Sequence, residues 1–191
     1  GNQRMIELVN ALLDVSRIEL GTFMAEFKPV DLRETSKSVL EDLAAEVAKK
    51  KLVISEKYQK DLPVIQADPR VIRMILQNIF SNAVKYTPSG GAITIAAEKT
   101  KSVILLSVSD TGYGISEESK PHIFTRFFRA ANIREVEPGG SGLGLYIVKS
   151  VTESMGGKVR FESEEGKGTT FYVELPLRPA VKLNDVNGVK K

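Results

Sequence analysis

The sequence predicts an α/β two-layer sandwich, with a mixed, largely antiparallel sheet covered on one face by helices. Three observations predict it. Apolar residues recur at helical spacing over 32–50, 69–86 and 143–155. Residues 92–99 and 102–109 alternate or run apolar around the short Thr100-Lys101 link, and 158–163 and 169–175 flank a turn over 164–168. Hairpins of this kind, interleaved with amphipathic helices, stack the helices on a single side of the sheet.

The 191 residues are 42% hydrophobic and 27% charged with a formal net charge of +3, which suits one compact domain with a short appendage. A chain this long buries enough surface to fold without cross-links. There is no Cys, so disulfides and thiolate metal sites are excluded and a reducing compartment fits. No apolar run approaches the roughly 18 residues that span a bilayer, and no signal peptide opens the chain. A cytoplasmic location is expected, with membrane anchoring of a longer parent left open. Lys and Arg are interleaved with acids, which argues against nucleic acid as a partner.

In chain order, Met5, Leu8, Leu12 and Val15, widened by Val9 and Leu13, predict a helix over 2–20 that Gly21 ends. It opens without a cap, as a segment of a longer helix would, and it either packs on its own domain or binds a partner. After the breaker Phe27-Lys28-Pro29, Asp31 caps one helix over 32–50 through Val39, Leu40, Leu43 and Val47. Short strands follow at 52–58 and 64–67. Asp68-Pro69 starts a helix that runs to Tyr86, and Thr87-Pro88-Ser89-Gly90-Gly91 turns the chain into the first hairpin. Its second strand ends at Asp110. Residues 111–140 are irregular in pattern, as a functional lid or a disordered loop is. The helix over 143–155 stops at Gly156-Gly157, the second hairpin follows, and a disordered tail is expected after Pro179. No internal repeat is present.

On the helix over 69–86, Ile72, Ile75, Leu76, Ile79, Phe80 and Ala83 make one apolar stripe, while Arg70, Arg73, Gln77 and Ser81 face away from it. Asn78, Asn82 and Lys85 form a third line at the margin of that stripe. Amides there are partly desolvated and need partners, unless they are ordinary surface polars near a helix end. An Asn carbonyl is a hard oxygen donor suited to Mg²⁺, and Lys85 adds a point charge for phosphate oxygens.

Asp110-Thr111-Gly112-Tyr113-Gly114 holds a carboxylate at a strand end beside two glycines that permit close approach of a ligand. An Asx turn is the plainer reading. Asp-Thr-Gly also occurs in aspartic proteases, but that chemistry needs two carboxylates sharing a proton, and no second Asp-Thr-Gly or Asp-Ser-Gly is present. Gly139-Gly140-Ser141-Gly142-Leu143-Gly144-Leu145 runs into a helix and so aims backbone N–H groups and a positive helix end at an anion. It fits neither the dinucleotide fingerprint nor a Walker loop.

Taken together, residues 78–86, 110–114, 124–128 and 140–145 resemble the N, G1, F and G2 boxes of bacterial sensor histidine kinases. The resemblance implies the Bergerat ATP-binding sandwich over 25–179, the end of a dimerisation and phosphoacceptor helix over 1–24, and a flexible tail over 180–191. It implies that ATP is bound, with ADP as product, by Asn78, Asn82, Lys85, Tyr86, Asp110, Gly112, Gly114, Ile115, Phe124, Arg129, Gly140, Ser141, Gly142, Leu143, Gly144 and Leu145. Asn82 would hold Mg²⁺, Asp110 the adenine amine, and Asn78, Lys85 and Arg129 would serve the transfer.

The implied activity is transfer of the γ-phosphoryl group to a histidine on a phosphoacceptor helix that this chain lacks, in two-component signalling. The implied partners are that dimerisation domain and a response-regulator receiver domain, with the parent protein a homodimer. The one histidine, His122, lies at the edge of the F box without a following acid and is read as a surface lid residue. Two alternatives accompany this reading. One is an ATPase like gyrase, Hsp90 and the mismatch-repair proteins, although Asn78 stands where those carry a water-activating Glu. The other is a binding-only module, since Phe128 replaces the more usual Tyr of the F box.

Overall fold

Two Asp side chains start the long helices. Asp31 accepts a hydrogen bond from Arg33 N at 2.7 Å ahead of α1 (Leu32–Asp42). Asp68 accepts from Arg70 N at 2.9 Å ahead of the helix Pro69–Tyr86, whose Pro sits in its first turn. The structure is a computed structural model that describes residues 25–130 and 140–178, with Leu13 and Ile133 as single positions. Apart from Leu13, the helix expected over 2–20 lies outside the described residues, as do Gly139 and the tail from Pro179.

The elements are β1 (Lys28–Val30), α1, α2 (Ala44–Lys50), β2 (Val53–Tyr58), β3 (Ile65–Ala67), α3 (Pro69–Tyr86), β4 (Ala92–Thr100), β5 (Val103–Asp110), a 3-10 turn (Lys120–His122), α4 (Gly144–Ser154), β6 (Lys158–Glu164) and β7 (Gly168–Pro176). Five strands form one sheet in the order β2-β4-β5-β7-β6. Its β4–β5, β5–β7 and β6–β7 pairs are antiparallel, and β2 runs parallel to β4. The sheet is therefore mixed and largely antiparallel, as expected.

Alternation along β4 and β5 sends Ile93, Ile95, Ala97, Ile104, Leu106 and Val108 to one face, where they are buried. Against that face lie Ile72, Ile75, Ile79 and Phe80 of α3 and Ile147, Val148 and Val151 of α4, all in one continuous core. α3 packs between α1 and α4. Burying α3 in this way contributes about 1.5–3 kcal/mol for each large aliphatic side chain, which holds its polar margin in a fixed orientation.

Two features depart from the expected elements. The helix over 32–50 is divided at Leu43, a buried residue that caps α1 and opens α2 while its N–H reaches back to Leu40 O at 3.1 Å. The segment expected only as a breaker contains β1, which pairs antiparallel with β3 as a separate two-stranded sheet. Pro29 is tolerated there because β1 is an edge strand that pairs only with β3. Among the described residues, no helix is long and apolar enough to cross a membrane.

Candidate functional site

The packing of α3 leaves its Asn78, Asn82, Lys85 line, with Tyr86, along an open cleft of about 1100 Å³. The glycine loop forms the wall that meets it, since Gly140, Ser141, Gly142, Gly144 and Leu145 line the same cleft. The approach is close. A methyl group on Gly144 would lie 2.7 Å from Asn78 Oδ1, and one on Gly140 would lie 3.4 Å from Lys85 Nζ and 3.2 Å from Arg129 Nε. Gly142 has φ +71°, and a methyl there would come within 2.7 Å of the Phe127 carbonyl carbon. Any side chain at these positions would fill the space between helix, loop and lid.

α4 begins without a side-chain cap. The N–H groups of its first turn and the positive helix end favour an anion. Lys85 and Arg129 add two cationic side chains beside Gly140. Asn78 is oriented by its own Nδ2, which donates to Met74 O at 2.8 Å and turns Oδ1 toward Gly144. The side chain of Asn82 makes no hydrogen bond among the described residues, and these residues contain no cluster of His, Cys, Asp or Glu suited to a metal. Its amide oxygen is a hard donor of the kind that suits Mg²⁺.

Asp110 ends β5, between β4 and β7, and is 8% exposed. Its Oδ1 accepts from Gly112 N at 2.8 Å and from Thr169 N at 3.2 Å. Burial pushes the carboxyl up to about 6, against the opposing pull of those two N–H groups. The group therefore changes charge just below neutral pH while lining the cleft.

Of the other residues expected here, Gly114 and Ile115 line the cleft, whereas Gly112, Phe124 and Leu143 do not. Gly112 instead backs Asp110. Phe124 stacks edge-on against Phe161, with centroids 5.8 Å apart, and lies beneath Lys149 Nζ at 5.9 Å. Leu143 is part of the core. His122 is exposed beside Phe128, at 5.5 Å between ring centroids. The sequence reading missed Thr169, Phe171 and Ile147, which line the cleft from β7 and α4. For Thr169 the available signal was the turn Gly166-Lys167-Gly168, which starts a strand at a height only the β5–β7 register reveals.

Comparisons with known proteins give the family and the fold. Residues 67–179 match the family described as histidine kinase-, DNA gyrase B- and HSP90-like ATPase. The chain is 34% identical over 181 residues to the sensor protein GacS of Pseudomonas syringae pv. syringae, covering 92% of this chain and 20% of that protein. It is 33% identical over 182 residues to the circadian input-output histidine kinase CikA of Synechococcus elongatus, covering 94% of this chain and 24% of that protein. The chain thus spans about a fifth to a quarter of the length of these curated relatives. Among solved structures, full-length ShkA in complex with AMPPNP superimposes with a TM-score of 0.76 at 32% identity, over 91% of this chain and 36% of that one. The nucleotide-free catalytic domain of histidine kinase ThkA superimposes with a TM-score of 0.71 at 29% identity, over 81% of this chain and 97% of that one.

Proposed function

The chain belongs to the histidine kinase-, DNA gyrase B- and HSP90-like ATPases as a histidine-kinase catalytic ATP-binding domain, and on that premise we propose that it orders Mg²⁺-ATP for phosphoryl transfer to a histidine. The observation that carries the proposal is the convergence of the Asn78, Asn82, Lys85 line, Asp110 and the α4 glycine loop on one cleft.

In this reading Asp110 accepts the adenine amine at the buried end of the cleft. Gly114 and Ile115 flank the ring, and the N–H groups that open α4 receive the phosphates. Lys85 and Arg129 offset the charge of the triphosphate, and Asn78 orients it. Asn82 would hold Mg²⁺, which would supply neutralisation of phosphate charge there. Transfer then breaks the bond between the γ-phosphorus and the β–γ bridging oxygen and forms a phosphorus–nitrogen bond to the imidazole, with ADP leaving. The protein's contribution is positioning and charge neutralisation. Asn78 lies one helical turn before Asn82, and an amide there does not take a proton from water, which favours transfer over hydrolysis.

His122 lies beside Phe128 and is not followed by an acid, and in this reading the accepting histidine belongs to a phosphoacceptor and dimerisation domain, with the phosphoryl group passing onward to a receiver domain of a response regulator. The test mixes the chain with a histidine-bearing dimerisation domain and ATP labelled at the γ-phosphate. Acid-labile label on the partner is expected. Release of inorganic phosphate with no labelled partner would replace the kinase reading with an ATPase.

A further inference from the structure

We propose that Lys50, at the end of α2, is a positioning residue of the nucleotide site that acts through the C-terminus of α3. The proposal rests on the reading of the cleft as that site. Residues 49–51 are three consecutive lysines, which in sequence look like a solvated charge run. The middle one is half-buried, and its ammonium donates to Val84 O at 2.9 Å, Lys85 O at 2.6 Å and Thr87 O at 3.1 Å. An ammonium has three donors, and each reaches a carbonyl.

The last four carbonyls of a helix have no partner within it. In α3 they are those of residues 83–86, and each has a separate acceptor role. Ala83 O receives Thr87 N at 3.1 Å and Thr87 Oγ1 at 2.6 Å. Val84 O and Lys85 O receive Lys50. Tyr86 O receives the N–H of Tyr113 at 3.2 Å, which ties the turn after Asp110 to the same helix end. The Lys50 carbonyl in turn accepts from Gly90 N at 2.8 Å. Lys51 adopts the left-handed conformation (φ 53°) that turns the chain away directly after Lys50.

The joint that Lys50 closes therefore carries Asn82, Lys85 and Tyr86 on one side and the Asp110 turn on the other. A cation at a helix C-terminus also complements the helix dipole. Without the ammonium, Val84 O and Lys85 O lose their donor, the final turn of α3 frays, and nucleotide binding must first restore it.

The test measures Mg²⁺-ADP affinity by calorimetry for the wild-type chain and for Lys50→Met, Lys50→Arg and Lys49→Met, with amide hydrogen exchange on each. Lys50→Met is expected to bind about tenfold more weakly, because charge-assisted bonds to three carbonyls at the end of α3 are lost. It should exchange faster at Tyr86, Thr87 and Tyr113 while β4 and β5 keep their protection. Lys50→Arg, which retains charge and several donors, should bind within about threefold of wild type, and Lys49→Met should be unchanged. Equal affinity in wild type and Lys50→Met overturns the proposal. So does loss of protection across β4 and β5, which would make Lys50 a support of the whole domain, and so does an Arg variant as weak as Met. A wild-type chain that binds no Mg²⁺-ADP defeats the reading of the cleft itself, and the role of Lys50 with it.

Discussion

The backbone N–H of Thr169 donates to Oδ1 of Asp110 at 3.2 Å, across the β5–β7 register that sets the two residues opposite each other. With Gly112 N on the same oxygen at 2.8 Å, the carboxyl has two donors, yet burial still lifts it from 3.8 to about 6. A carboxyl raised in the folded state stabilises the fold fully below 3.8, and that contribution is lost as pH rises through about 6. Ionised Asp110 is thus a cost to the unliganded domain at neutral pH. Asp110→Asn keeps the acceptor oxygen and removes the charge, so it is expected to stabilise the unliganded chain by about 1–3 kcal/mol at pH 7.5. Denaturant unfolding measures it, and an equal or lower stability would contradict it.

Binding should depend on pH in the opposite direction. An ionised carboxylate accepts from the adenine amine more strongly than a neutral carboxyl does, and with a carboxyl at about 6 only about a tenth of it is ionised at pH 5. Adenosine, which carries no phosphate to titrate, is expected to bind about tenfold more weakly at pH 5 than at pH 8. NMR titration follows this, and a flat profile would remove Asp110 from adenine recognition.

Gly144 should tolerate no side chain in function while tolerating one in folding. A methyl there would lie 2.7 Å from Asn78 Oδ1, the far end of a side chain, so Asn78 turns aside and gives up at most its Nδ2 bond to Met74 O, about 1 kcal/mol. Alanine also gains up to about 1 kcal/mol of helix propensity over glycine in the first turn of α4. Gly144→Ala should therefore melt within a few degrees of wild type and bind Mg²⁺-ATP at least about tenfold more weakly. Parallel thermal melts and calorimetry separate the two effects.

The segment around Arg126 is joined to α4 by that residue, whose guanidinium lies 4.5 Å from the Tyr146 ring centroid and donates to its hydroxyl. Tyr146→Phe removes the hydrogen bond and Tyr146→Ala removes the ring as well. Nucleotide release, followed by stopped-flow fluorescence, should quicken in that order, by about twofold to fivefold for Ala given the usual 0.5–1 kcal/mol of such contacts. Identical release rates in all three would show that this contact does not govern release.

Much of this fold is legible in the sequence wherever a local rule agrees with the tertiary answer. α3 starts and stops where Asp68-Pro69 and Thr87-Pro88 place it, and both hairpins follow their turns. The glycine loop and Asp110 announce themselves by composition at a strand end and a helix start. What stays hidden depends on partners distant in sequence. β1 exists because β3 is beside it, and β2 runs parallel to β4 although its neighbours form hairpins. The division at Leu43 carries no Gly or Pro, so periodicity alone reads through it. Phe124 and Leu143 belong to motifs near the cleft, yet packing draws them away from it. Thr169 reaches Asp110 only through strand register, and Lys50 is distinguishable from Lys49 and Lys51 only by the helix end it meets.

The central claim is that the cleft between α3 and the glycine loop binds Mg²⁺-ATP through Asn82 at the phosphate end and Asp110 at the adenine end. Calorimetric titration of the wild-type chain, Asn82→Ala and Asp110→Ala with Mg²⁺-ATP tests it most directly. Wild type should bind, and each variant should bind at least about tenfold more weakly, as loss of a buried or charge-assisted partner implies. Unchanged affinity in both variants would contradict the account.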